Sequence, residues 1–159
     1  MKIYTLGVYG KSEEDFFNSL TCNNISTFVD IRQRRGVRGS QYKFVNSKYL
    51  QTKLAELGIA YLYEQKLAPT KAIREKQWAE DKAKGQTKKF RDILGNAFSQ
   101  EYCNCILSIF DIDSLVKQLE NNGSENIVLF CVESIAAACH RSLVASELNR
   151  KFGFEVINI

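Results

Sequence analysis

The run Ile127-Val128-Leu129-Phe130-Cys131-Val132 decides the fold. It carries no charge and is β-branched and aromatic along most of its length. At six residues it is strand-sized, far short of the roughly 20 apolar residues that a membrane-spanning helix needs. A strand apolar on both faces belongs inside a parallel sheet covered by helices on each side. Working outward, Asp113 or Ser114 opens a helix through Leu115, Val116 and Leu119 that stops near Asn122-Gly123. On the other side, His140 or Arg141 to Phe152 reads as a helix, and Glu155 to Ile159 as a closing strand.

The first half repeats this alternation. Ile3 to Leu6 is a short strand ending at Gly7, and Ser12-Glu13-Glu14-Asp15 resembles a capping box before Phe16, Phe17 and Leu20. Ile25 to Ile31 is a second strand, and Ile59 to Tyr63 a third. Between them lies a helix with Tyr49, Leu50, Leu54 and Leu57 on its apolar face, opened by Asn46 or Ser47 and stopped by Gly58. After Pro69 the pattern predicts helix over residues 71–84 and 87–107, parted at Gly85. The expected fold is therefore α/β: a single Rossmann-like three-layer domain over residues 1–159. Its mostly parallel sheet has about five strands, with helices on both faces.

Charge is unevenly placed. Residues 1–92 hold 18 Lys and Arg against 10 Asp and Glu, while residues 93–159 hold 4 against 8. Arg32, Arg34, Arg35, Arg38 and Lys43 fall in one stretch without an acid. Guanidinium forks match phosphate oxygens and stay charged at any working pH, so this loop is a landing place for phosphates or a solvated surface. The basic stretch 71–92 reads better as a solvated helix face. No phosphate loop and no Gly-x-Gly-x-x-Gly fingerprint is present. Five cysteines and a first segment that reads as a strand rather than a signal peptide point to a reducing, cytoplasmic setting with free thiols and no membrane association.

In an open α/β sheet, ligands bind beyond the carboxyl ends of the strands. Asp30 and Arg32 leave the second strand there. Cys131 and Glu133 leave the apolar strand and lead to Cys139-His140-Arg141 at a helix start. A helix start lowers a thiol's pKa, so Cys139 is the expected nucleophile, with His140 carrying protons. Cys131, Cys139 and His140 are also possible zinc ligands, but the spacing is not that of paired C-x-x-C units. Neighbouring side chains on a helix moreover diverge, so no metal and no cofactor is expected.

The segments Thr5-Leu6-Gly7, Val29-Asp30-Ile31-Arg32, Gly58-Ile59-Ala60-Tyr61, Cys131-Val132-Glu133 and Cys139-His140-Arg141-Ser142 resemble domain-of-unknown-function family 488. Arg34-Arg35-Gly36 and Tyr42-x-Phe44-x-Asn46 resemble its basic-loop branch. The resemblance implies a small cytosolic protein with a site at Asp30, Arg32, Tyr61, Cys131, Glu133, Cys139, His140 and Arg141, and no assigned reaction. Many members carry histidines where this chain has Val8 and Asn158. The function expected is binding of a phosphate-bearing ligand, nucleotide or nucleic acid, at the sheet's carboxyl edge, with Arg32, Arg38 and Arg141 holding the anion and thiol chemistry available. A non-catalytic nucleic-acid module and a protein-interaction domain remain the alternatives.

Overall fold

A computed structural model of the chain describes residues 1–87 and 90–159. Five strands, β1 (Lys2–Leu6), β2 (Thr27–Asp30), β3 (Ala60–Tyr63), β4 (Asn126–Phe130) and β5 (Glu155–Asn158), form one sheet in the order β3-β2-β4-β1-β5. Every pairing is parallel. The apolar run is the centre of the sheet: β4 lies between β1 and β2, and Ile127 to Phe130 have no exposed surface.

Period-two alternation divides the core into two layers. Tyr4, Leu6, Phe28, Val128 and Phe130 face helices α1 (Glu13–Cys22) and α2 (Ser47–Glu56), where Phe16, Leu20, Leu50 and Leu54 are fully buried. Ile3, Val29, Ile127 and Leu129 face the other layer, made by α3 (Lys71–Ala83), α4 (Asn96–Tyr102), α5 (Ile112–Asn121) and α6 (His140–Phe152). The expected three-layer α/β architecture is what the chain adopts.

Local chemistry sets the helix ends. Ser12 caps α1 by accepting from the Asp15 N–H, and Thr70 caps α3 through the Ile73 N–H. Helix α5 starts earlier than the sequence suggests, at Ile112, because Asp111 accepts from the Ser114 N–H. Asn46 precedes α2, but its side chain does not cap. Its Oδ1 accepts from the Val37 N–H at 2.7 Å and ties the basic loop to the helix start.

The helix expected over 87–107 is shorter. Lys88 and Lys89 lie outside the described residues, and α4 begins only at Asn96. Upstream of it the Leu94 N–H is drawn to the Ala137 carbonyl and the Gly95 N–H to Gln77 Oε1. Downstream the chain widens into a π turn over Cys103–Leu107.

One close approach determines how the carboxyl edge is assembled. A Cβ on Gly7 would lie 1.8 Å from the Glu133 carbonyl oxygen and 3.2 Å from Arg141 Nη2. Backbone cannot swing aside as a side chain can. Gly7→Ala is therefore expected to lower stability by about 1–3 kcal/mol through overpacking, read as a reduced urea midpoint at unchanged m value.

Candidate functional site

A cavity of about 400 Å³ opens at the carboxyl edge, where the loops after β1, β2 and β4 meet α3 and the start of α6. That volume lies within the range of small-molecule sites. Arg32, Gln33, Arg34 and Arg38 from the loop after β2 form one wall, with Tyr9 and Tyr42 beside them. Arg74, Gln77 and Trp78 from α3, followed by Arg91, Leu94 and Phe98, line it as well. Cys131, Glu133, Cys139 and His140 complete the lining.

Asp30 and Arg32 are the best-defined pair. The Asp30 carboxylate is fully buried and accepts from the Arg32 backbone N–H (3.1 Å), Nε (2.9 Å) and Nη2 (2.7 Å). Tyr61 donates its hydroxyl proton to the second carboxylate oxygen at 2.9 Å. Burial, and then the Asp30 charge, push Tyr61 up to about 12, so it remains a neutral donor. The Arg32 guanidinium lies over the Phe130 ring, 4.6 Å from its centroid. Two of its three nitrogens are committed to Asp30; Nη1 is buried with no hydrogen-bond partner among the described residues. A buried donor left unpaired is costly, so it calls for a physical account in strain, a bound water or a ligand.

The lining holds a second buried arginine, Arg91. Arg91 is buried with Nε 3.6 Å from Asp81 Oδ1, and this Nε makes no hydrogen bond among the described residues. Asp81 is meanwhile held by Gln77 Nε2 at 2.8 Å. Arg91 was not among the residues singled out from sequence. Its signal was present, though. Gln77 and Asp81 continue the buried face of Ile73 at intervals of four, polar residues at core positions of α3.

Arg141 departs from expectation. It is almost completely buried and is not part of the cavity wall. Its Nη1 donates to the Glu133 carbonyl at 2.6 Å, Nη2 to the Ser134 carbonyl at 3.0 Å, and Nε to Thr5 Oγ1 at 3.4 Å. It braces the loop after β4 from behind. Asp30 and Tyr61 likewise stand behind the wall and orient Arg32, while Arg38 is exposed at the rim.

The sulfur chemistry also shifts. Cys139 precedes α6 in extended conformation (φ −139°, ψ 144°) after the 3-10 turn Ala136–Ala138. Because it is not helical, its side chain and that of His140 converge instead of diverging. His140 Nδ1 lies 3.8 Å from Cys139 Sγ and 4.0 Å from Cys131 Sγ, and its Nε2 is 3.1 Å from the Ile31 carbonyl. A carbonyl only accepts, so Nε2 carries the proton and Nδ1 faces the thiols.

Burial drives the Cys139 thiol well up, and the neighbouring Cys131 raises it further. Cys131 is instead drawn down to about 6, first by a hydrogen bond from Cys139 and also by His140, against burial and the Glu133 charge. Burial alone would lower His140, but Cys131 and Glu133 outweigh it and its pKa is raised. The more acidic thiol is thus Cys131, not the expected Cys139. With Cys22, Cys103 and Cys105 exposed, iodoacetamide labelling followed by mass spectrometry is expected to find Cys139 slowest of the five.

An α/β domain with an arginine-walled cavity beside a buried cysteine–histidine cluster is the class that fold and site define. A family model described as domain of unknown function DUF488 matches residues 12–148. The chain belongs to that family. No curated protein and no solved structure matches it.

Proposed function

We propose that the protein binds a phosphate-bearing ligand, a nucleotide unit, in the cavity at the carboxyl edge of its sheet. The observation that carries this reading is a pair of buried arginines in the cavity lining, Arg32 and Arg91, each with a nitrogen (Nη1 and Nε) that makes no hydrogen bond among the described residues. Arg34, Arg38 and Arg74 add charge around the same opening. The half-exposed Trp78 supplies ring surface on which a base can stack, and Tyr9, Tyr42 and Phe98 complete the aromatic lining. Trp78 is half exposed with the Arg74 guanidinium 5.9 Å from its ring, so a strand end as well as a free nucleotide has room to approach. No helix among the described residues is long and apolar enough to cross a membrane. Free cysteines support a place in the reducing cytoplasm.

Isothermal titration of the parent, Arg32→Ala and Arg91→Ala with inorganic phosphate, a nucleoside monophosphate and a short single-stranded oligonucleotide tests the reading. Hydrogen bonds to a charged group contribute roughly 1.5–3 kcal/mol, so each variant is expected to bind about tenfold or more weakly. Binding of the oligonucleotide alone, with a steep salt dependence, would identify the ligand as nucleic acid. Equal affinity in the parent and both variants would place the ligand elsewhere.

A further inference from the structure

We propose that Cys131, Cys139 and His140 form a mononuclear zinc site whose fourth position opens into the arginine-walled cavity. The three ligand atoms, two Sγ and Nδ1, lie within 4.8 Å of one another, and all three residues are buried. Zinc bonds of about 2.3 Å to sulfur and about 2.0 Å to nitrogen, at tetrahedral angles, place S and N about 3.5 Å apart. The present separations of 3.8 and 4.0 Å need only a slight contraction.

A second, independent feature is the outer hydrogen bond of the histidine. Ligating imidazoles characteristically donate their other N–H to a carbonyl or carboxylate, which fixes the ring and its tautomer. Here the Ile31 carbonyl receives Nε2–H at 3.1 Å and leaves the Nδ1 lone pair aimed at the sulfurs. The backbone supports the cluster from separate elements. Cys131 follows β4, Cys139 is the extended residue before α6, and His140 is the first residue of α6.

Two thiolates and an imidazole select a soft divalent ion such as zinc over magnesium or calcium. On binding, each thiol gives up its proton and the imidazole is neutral. Glu133 Oε2, 3.2 Å from Cys131 Sγ, is close enough to take a proton from that end of the cluster. Three protein ligands with a cavity beyond them is the arrangement of catalytic zinc sites, whose fourth position holds water or a substrate oxygen; structural sites are closed by four protein ligands.

The site stands independently of the phosphate reading, and the test separates them. The full chain, reduced and stripped of metal, is titrated with Co²⁺ and then Zn²⁺ in phosphate-free buffer. The expected result is about one metal per chain, with thiolate-to-cobalt charge transfer and tetrahedral visible bands that zinc abolishes. Relative to the metal-free protein, zinc is expected to slow alkylation of Cys131 and Cys139 further while leaving the rates at the exposed Cys22, Cys103 and Cys105 unchanged. This comparison needs no variant. Cys139→Ser and His140→Gln, with folding checked by circular dichroism, should lose more than the ~10–100-fold that removal of an outer-shell partner costs.

An octahedral cobalt spectrum without a thiolate band overturns the site. So does zinc protection of Cys103 and Cys105 instead, or parental affinity in both variants. Failure of metal binding in protein that still binds nucleotide overturns this inference alone. Nucleotide failure in protein that still shows the cobalt spectrum overturns only the phosphate reading.

Discussion

Replacing Asp30 with alanine is expected to cost about 3–5 kcal/mol, because it leaves the buried Arg32 guanidinium without its counter-charge. Asp30 has no exposed surface, and Arg32 is only 3% exposed. The carboxylate receives three hydrogen bonds from Arg32 and one from Tyr61, so its removal strands two residues at once. Urea unfolding measures the loss, and a change below about 1 kcal/mol would mean that water reaches the pair. The double variant Asp30→Ala, Arg32→Met removes both charges and should recover most of the stability, since apolar replacement of a buried pair is often neutral. It should not recover nucleotide binding. That separation tests whether the ion pair serves to position the Arg32 guanidinium beside the cavity rather than to hold the fold together.

Why the sheet was readable is clear from β4. A run that is apolar at every position is compatible with one place only, and Ile127 to Phe130 occupy it. Ser12 and Gly58 mark helix ends through chemistry contained within a few residues. Gly58 has φ +70°, where a side chain would strain the backbone. The overextended helix over 87–107 shows the opposite case. Leu94, Phe98 and Tyr102 recur at intervals of four and imitate one helical face. Yet Leu94 is held by the Ala137 carbonyl, a partner more than forty residues away. Periodicity cannot register a hydrogen bond of that range.

The site divides along the same line. Asp30, Arg32, Cys131 and Glu133 were legible because they leave strands at one sheet edge, and a parallel sheet brings such ends together. Cys139 and His140 were legible as a pair but not in their geometry. The helix starts at His140 as the sequence suggests, but Cys139 is its extended N-cap residue after a 3-10 turn, and that conformation, which turns the thiol toward the imidazole, was not legible. Strand order was also beyond the sequence, and it decides which loops meet. With β4 between β1 and β2, the loops after β2 and β4 close on each other, and α3 contributes Arg74 from a stretch that reads as solvated surface.

Arg141→Met is expected to cost about 3–5 kcal/mol, for a reason different from that at Asp30. The guanidinium is 1% exposed and donates to two backbone carbonyls, Glu133 and Ser134, and to Thr5 Oγ1. Methionine fills much of the stem's volume but offers no donor. Each hydrogen bond to the charged group is worth roughly 1.5–3 kcal/mol, and the stranded carbonyls add to the loss. Arg141→Lys keeps the charge but not the planar fork that spans two carbonyls, so its stability should fall between the two. Nucleotide affinity of the folded methionine variant should drop much less than that of Arg32→Ala, because Arg141 acts on the loop carrying Glu133 and not on the cavity wall. Affinity lost as steeply as with Arg32→Ala, at unchanged stability, would instead make Arg141 a ligand-binding group, as its position at a helix start suggests from sequence. The structure favours the brace. The same guanidinium lies against the space that a Gly7 side chain would fill, so the glycine and the arginine together hold the ends of β1 and β4 in contact.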